Sequence, residues 1–345
     1  KTKGVKSERT RKILEIQREW TEQLKKCDEV ELYIIKSTVI IAGTCTGFVS
    51  NRIIRDVEFD YVIVDEAAKA TFPELAVSLN KAHKIILVGD HQQLPPVLDT
   101  EIIRNNKEKL DEEGLAQGIF ERMYNMFPED NKHRLTIQYR MHPTIGTLIS
   151  HVFYNDEIQN GVEAQDRELC IEGYEGIAIE WISTSKYSTK ERYEKEFDNN
   201  GKKSYQNYLE RNIIERKLLE LDSKLVKRTK VAVITGYGSQ KYILQTMVKQ
   251  HSFKHIEVDV DTVDAFQGSQ KDIILYSTVR SSGNKYGIGF LKSEARINVA
   301  FSRARCLLII VGDMKFLDNY KIRGNKFPEI IKYITESEGC RIIEK

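Results

Sequence analysis

The chain has 345 residues, with 53 Lys and Arg against 51 Asp and Glu and a formal charge of +2. That length holds two domains of ordinary size, and no run of about 18 apolar residues offers a membrane span. The near-neutral balance excludes no partner, because a nucleic-acid path needs a local basic stripe rather than a high total charge.

Residues 1–12 are basic and polar, with no apolar stretch of the kind a secretory leader needs. Residues 5–28 read as a helix, because Ile13, Ile16, Trp20, Leu24 and Cys27 recur at three- and four-residue steps. It serves either as a long stalk or as an ordinary packed helix. Thr38–Ala42, Tyr61–Val64 and Lys84–Val88 are continuous apolar runs, the pattern of strands buried on both faces of a parallel sheet. Pro73–Leu79 reads as a helix between two of them, and 99–127 as helical and charged. A second series of strands follows at Leu135–Gln138, Ile177–Ile182, Val231–Thr235, Glu257–Thr262, Ile273–Val279 and Leu307–Val311. Helices at about 205–221, 238–250, 294–304 and 328–337 separate them. Residues 184–204 are charged and polar, and are expected to form a surface insertion or loop. Alternating β and α over this length predicts an α/β protein of two doubly wound parallel-sheet domains, residues 1–130 and 131–345. Cys27, Cys45, Cys170, Cys306 and Cys340 are scattered, with no zinc-like spacing and no disulfide frame. A reducing compartment, cytoplasm or nucleus, is the expectation.

Five segments carry chemistry. The run Val62–Val64 ends in Asp65-Glu66. An acid at a strand's carboxyl edge suits Mg²⁺, and its neighbour suits orienting an attacking water; the same pair can also cap the following helix. Gly89-Asp90-His91-Gln92-Gln93-Leu94-Pro95-Pro96 follows the next run, and the amide of Gln93 can sense a terminal phosphate. It can equally be a polar turn before a rigid Pro-Pro. In Gln138-Tyr139-Arg140-Met141-His142-Pro143, Arg140 offers a fork to phosphate oxygens and Tyr139 a stacking face, or Arg140 forms a surface ion pair. His142-Pro143 starts a helix. Thr262, Gln267 and Gly268 sit in a loop that can grip a phosphodiester backbone without reading sequence. Arg296, Ala300 and Arg303 share one helix face, either an arginine finger or a solvated basic stripe.

In order and identity these segments resemble superfamily 1 helicases of subfamily B, the group around senataxin and the helicase of nonsense-mediated mRNA decay. Motifs II, III, IV, V and VI match Val64–Ala67, Gly89–Pro96, Gln138–Pro143, Val263–Gly268 and Arg296–Ala304, and Thr44-Cys45-Thr46 looks like motif Ic. The resemblance implies two RecA-like P-loop NTPase domains, the first incomplete. It implies ATP and Mg²⁺ as cofactors and single-stranded RNA or DNA as partner, with 5′-to-3′ movement as ATP closes and reopens an inter-domain cleft. Asp65 would hold Mg²⁺ and Glu66 activate water. Gln93, Arg140 and Arg303 would contact the γ-phosphate, and Tyr139 would lie beside the adenine, with Arg296 and Gln270 also near the nucleotide. Thr44, Thr46, Thr262, Gln267 and Gly268 would contact the strand. Gln270 stands where the family carries Glu, and Gly236 where a Pro is common before Tyr237 and Gln240. No GxxxxGK[ST] occurs in the chain, whose backbone would cradle the phosphates. The expectation is therefore a chain that begins after that loop and hydrolyses ATP poorly by itself. The alternative is a non-catalytic nucleic-acid-binding or scaffold protein on the same fold.

Overall fold

The computed structural model describes residues 2–24, 28–54, 57–96, 118–199, 202–266, 268–282 and 287–344. The chain divides into two compact units: Lys1–His91 with Pro95–Met126, and Gln92–Leu94 with Phe127–Lys345.

The first unit opens with helices α1 (Thr2–Leu24), α2 (Asp28–Ser37) and α3 (Cys45–Ser50). Strand β1 (Phe59–Val64), helix α4 (Phe72–Leu79), strand β2 (Ala82–Leu87) and helix α5 (Ile119–Met126) follow. The two strands pair in parallel, Phe59 opposite Ala82 and Val64 opposite Leu87. A parallel pair needs a crossover, and α4 supplies it. Its start is fixed by a capping box in which both the backbone N–H and the hydroxyl of Thr71 donate to Glu74 at 2.8 Å, with Pro73 in the first turn. Val64, Ala67, Ala68, Leu75 and Phe120 form the core beneath.

The expected strand at Thr38–Ala42 does not form; among the described residues that segment is irregular, with Val39 98% and Ile40 81% exposed. Apolar character selects a strand only where a neighbour exists to pair with and cover it. The expected 99–127 helix lies outside the described residues except at α5.

The second unit is built on a six-stranded parallel sheet in the order β12-β5-β11-β10-β8-β9. These are β5 (Ile179–Ser183), β8 (Thr229–Thr235), β9 (Ile256–Thr262), β10 (Lys271–Ser277), β11 (Ala304–Gly312) and β12 (Cys340–Glu344). Alternation along β11 shows both faces covered. Leu308 and Ile310 join a core with Trp181, Ile145 and Leu148 of α6 (Pro143–Phe153), Phe301 of α10 (Glu294–Ser302) and Ile330 of α12 (Phe327–Glu336). Ile309 and Val311 face a second core with Leu218 of α8 (Tyr208–Lys224) and Leu244 and Met247 of α9 (Gly238–Val248). β12 carries mixed residues and was invisible as an apolar run. It pairs with β5, where the Arg341 guanidinium donates to the buried Glu180.

Strands β8 and β10 are neighbours, yet β8 runs into α9 on one face and β10 into α10 on the other. Their carboxyl ends therefore mark a topological switch point, the place where open α/β sheets form a crevice. Here the chain fills it from within. The described part of residues 184–204 is a largely exposed insertion rather than a loop: α7 (Thr189–Arg192) leads into an antiparallel hairpin, β6 (Lys195–Asn199) and β7 (Lys202–Gln206). Tyr205 of β7 packs edge-on to Tyr237, ring centroids 5.4 Å apart, beneath the guanidinium of Arg280 at 4.1 Å. Arg280 pairs with Glu194 at 3.0 Å, both side chains fully buried. The segment's charge hid this role, because a charged residue enters a core when its partner enters with it. The two remaining short strands, β3 (Ile137–Gln138) and β4 (Gln159–Asn160), pair with each other, and α11 (Met314–Asn319) follows β11.

Candidate functional site

In the first unit the chain turns at once after β1. Glu66 takes φ 54° and ψ 34°, the left-handed region, which costs a non-glycine residue about 1 kcal/mol. Flanking hydrogen bonds hold the turn. Ala67 N–H donates to Val88 O and Val88 N–H to Val64 O, each at 2.8 Å, and Glu66 N–H donates to Asp65 Oδ1 at 2.9 Å. Both carboxylates stay exposed. Gly89 is required beside them, since a Cβ there would stand 2.8 Å from the Ala68 nitrogen. Two neighbouring hard-oxygen donors suit Mg²⁺, which binds one or two carboxylates and completes its octahedron with water and phosphate oxygens. Among the described residues no group of three or more His, Cys, Asp or Glu side chains is placed to hold a metal.

Thr44 has a structural task as N-cap of α3, its hydroxyl oxygen accepting from Gly47 N–H at 3.0 Å. Its hydroxyl also lies 3.4 Å from that of Thr46, and both side chains are exposed.

In the second unit three of the candidates converge on the carboxyl end of α10. Arg303 caps that end and is 2% exposed. It donates to Val299 O at 3.2 Å, to Ser269 O at 3.3 Å and to Gln93 Oε1 at 3.3 Å. Arg140 donates to Ser302 O at 3.4 Å. The Gln92–Leu94 segment is anchored there too, with Leu94 in the core and Gln92 O accepting from Asn298 Nδ2 at 3.0 Å. Gln93, Arg140 and Arg303 thus assemble around one helix end, a set of donors fit for phosphate oxygens.

The Tyr139-Arg140 segment is held from both sides. Gln138 Oε1 accepts from Arg140 N–H and Met141 N–H, each at 2.8 Å. Arg167 donates to Arg140 O at 2.9 Å and to Tyr139 O at 2.8 Å. Sequence reasoning missed Arg167, and no periodicity or motif marks it: it ends a short 3-10 turn, Ala164–Arg167. Tyr139 is 64% exposed. His142 caps α6, its Nδ1 accepting from Thr144 N–H at 3.2 Å, and burial holds its pKa below the usual histidine value.

Arg296 does not join this cluster. It pairs with Asp264 at 3.1 Å and lies over the Phe290 ring at 4.7 Å. Gln270 and Gly268 are exposed, Gly268 with φ 79°, and Thr262 closes β9. Gln267 lies outside the described residues.

A parallel sheet with helices on both faces is the architecture of RecA-like domains of the P-loop class. Two profiles, each described as AAA domain, match residues 115–315 and 1–101. The chain belongs to the AAA domain family, in its superfamily 1, subfamily B helicase branch. It is 34% identical over 301 residues to a regulator of nonsense transcripts 1 homolog of Neurospora crassa, covering 85% of this chain and 26% of that protein. It is 34% identical over 324 residues to the ATP-dependent helicase NAM7 of Saccharomyces cerevisiae, covering 92% and 31%. An uncharacterised ATP-dependent helicase of Methanocaldococcus jannaschii is 29% identical, covering 99% of this chain and 48% of that protein. The chain therefore spans between 26% and 48% of the length of these relatives. Among solved structures, a PRRSV helicase covers 73% of the chain and 34% of its own, at 17% identity and a TM-score of 0.35, a likeness too slight to carry argument.

Proposed function

We propose that the chain supplies RecA-like domain structure of an ATP-dependent helicase or translocase that moves on single-stranded RNA or DNA. The observation that carries this reading is the convergence of Gln93, Arg140 and Arg303 on the end of α10. Three phosphate-seeking side chains at one helix end have a joint purpose in reading a terminal phosphate, while surface ion pairs would scatter them. The names of the relatives, an ATP-dependent helicase among them, support the same reading.

In this reading Asp65 holds Mg²⁺, which neutralises phosphate charge, and Glu66 accepts the proton of the attacking water. Tyr139 stacks on the adenine, and Gln93, Arg140 and Arg303 donate to the γ-phosphate oxygens. Thr44, Thr46, Thr262, Gln267 and the Gly268 backbone grip the strand. Gln270 and Arg296 lie on the nucleotide's edge, with Arg296 released from Asp264 when it acts. The reading implies 5′-to-3′ movement. It also implies little turnover by these 345 residues alone, since they contain no GxxxxGK[ST] to cradle the phosphates.

The test is steady-state ATP hydrolysis, with and without single-stranded RNA or DNA, by the longest natural protein that contains this chain. Strand-stimulated hydrolysis is expected, and Glu66→Gln should lower kcat by at least about 10²-fold while ATP binding persists. A folded protein of that kind that binds no ATP would sink the reading, as would rapid turnover by the 345-residue chain for the claim of low intrinsic activity.

A further inference from the structure

One cavity of the second unit has no part in the nucleotide reading. It measures about 380 Å³ and is lined by Arg192, Tyr193, Lys315, Phe316, Asn319 and Tyr320 over a floor of Asp313 and Ser281. Asp313 directly follows β11, and Ser281 follows β10 by four residues, so the cavity opens at the carboxyl edge of the sheet. Because the sheet is wholly parallel, this is the edge where β9 ends in Thr262. From β11 to β9 is three strand spacings, roughly 14 Å.

The wall residue Tyr193 is 41% exposed, yet its backbone is clamped on both sides. Before it, Arg192 O accepts from Asn207 Nδ2 at 2.8 Å, and the Arg192 side chain donates to Ser185 O at 2.9 Å and lies 3.3 Å from Asp313. After it, the buried Glu194 accepts from Ser281 N–H and Ser282 N–H at 2.9 Å and from the Ser282 hydroxyl at 2.6 Å, besides pairing with Arg280. An exposed aromatic on so rigid a frame loses little entropy when something stacks on it. Opposite, Phe316 and Tyr320 lie ring to ring at 5.4 Å.

Charge decides what enters. The floor is a carboxylate, Asp313, fully buried and accepting from Ser185 Oγ at 2.7 Å and Ser281 Oγ at 2.6 Å. Asp313 also accepts from Phe316 N–H at 3.1 Å and pairs with Arg192, so the floor carries no free charge and suits a neutral planar ring with polar edges. Of the two cations in the lining, Lys315 is exposed and Arg192 is held to Asp313. From aromatic walls, a charge-paired floor and the exposed Lys315 we infer that the cavity takes one base of a single-stranded nucleic acid, a flanking phosphate held outside by Lys315. The inference rests on the nucleic-acid part of the proposed function and adds a subsite to it.

The experiment is fluorescence anisotropy of a labelled 12-nucleotide oligouridylate, and of an abasic strand of equal charge, titrated with the chain over a range of salt. The unaltered chain should prefer the base-bearing strand. Tyr193→Ala should weaken oligouridylate binding about tenfold, leave the salt slope unchanged and abolish the preference over the abasic strand, while Tyr193→Phe should bind as before. Lys315→Ala should instead flatten the salt slope by somewhat less than one. If the unaltered chain binds oligouridylate but Tyr193→Ala binds it equally well, the subsite is overturned and the strand reading stands. If the unaltered chain binds neither strand, both fail.

Discussion

Arg303 Nη2 donates to Gln93 Oε1 across 3.3 Å, so a residue at the end of α10 and one from the segment after β2 share a hydrogen bond. Each group has another use in the proposed reaction: the guanidinium for the γ-phosphate, the amide for sensing that phosphate. The pair couples the two tasks. In an ATP-hydrolysing protein that contains this chain, Arg303→Ala should lower kcat by roughly 10³- to 10⁵-fold, the range for an arginine finger. Gln93→Ala should cost about 10²-fold, and the double variant should lose less than the product of the two. Arg303 also donates to two backbone carbonyls, so thermal unfolding measured alongside separates lost chemistry from lost stability. Full additivity would break the proposed coupling.

Arg167 is the next residue to test. Its guanidinium holds the carbonyls of Tyr139 and Arg140, the residues proposed to face the adenine and the γ-phosphate. Removing it frees the segment on one side while Gln138 still holds the other. Arg167→Ala should therefore raise the ATP KM by about tenfold and lower kcat as well, with strand binding unchanged. Arg167→Lys, a point charge instead of a fork, should restore only part of the loss. Unaltered ATP kinetics in Arg167→Ala would show that Gln138 suffices.

The strain at Glu66 gives a prediction with opposite signs for activity and stability. Its side chain is exposed and its backbone left-handed, so the fold gains nothing from the glutamate itself. Glu66→Gly relieves the strain at the cost of unfolded-state entropy, and should stabilise the first unit by up to about 1 kcal/mol while removing the proposed base. Urea unfolding followed beside ATP hydrolysis reads both; a destabilised Glu66→Gly variant would contradict the strain argument.

Much of this was legible in the sequence because burial on both faces leaves continuous apolar runs. β8, β10 and β11 announce themselves in that way, and the acids of Asp65-Glu66 stand out at the end of another such run. The AAA domain assignment accords with the motif order. What stayed hidden depends on partners distant in the chain. Val39 and Ile40 look like strand residues but, among the described residues, have no neighbouring strand to cover them, whereas β12 looks mixed and pairs with β5. Glu194 and Arg280 lie 86 positions apart and read as surface charges until the fold buries them together. Arg296 looks like a free cation on a helix face until Asp264 arrives from the loop after β9.

Glu210 supplies the last prediction. It is fully buried at the start of α8, and burial pushes its pKa up to about 8 despite the donors around it. Ser277 Oγ donates to Oε2 at 2.6 Å, Val279 N–H to the same oxygen at 2.9 Å and Thr278 Oγ1 to Oε1 at 3.2 Å. The carboxyl thereby holds the turn after β10, where Val279 sits at φ 68°. A folded-state pKa above the unfolded value of 4.5 means that the folded chain binds the extra proton. The stability this contributes is fully present below pH 4.5 and is lost as pH rises through about 8. Urea midpoints should fall across that window beyond what other groups produce. Glu210→Gln keeps an oxygen for Ser277 and Val279 and an amide to donate to the Thr278 hydroxyl, so it should fold normally and flatten the slope. A pH profile of unfolding that is the same in Glu210→Gln and the unaltered chain would show that this carboxyl is not the group titrating.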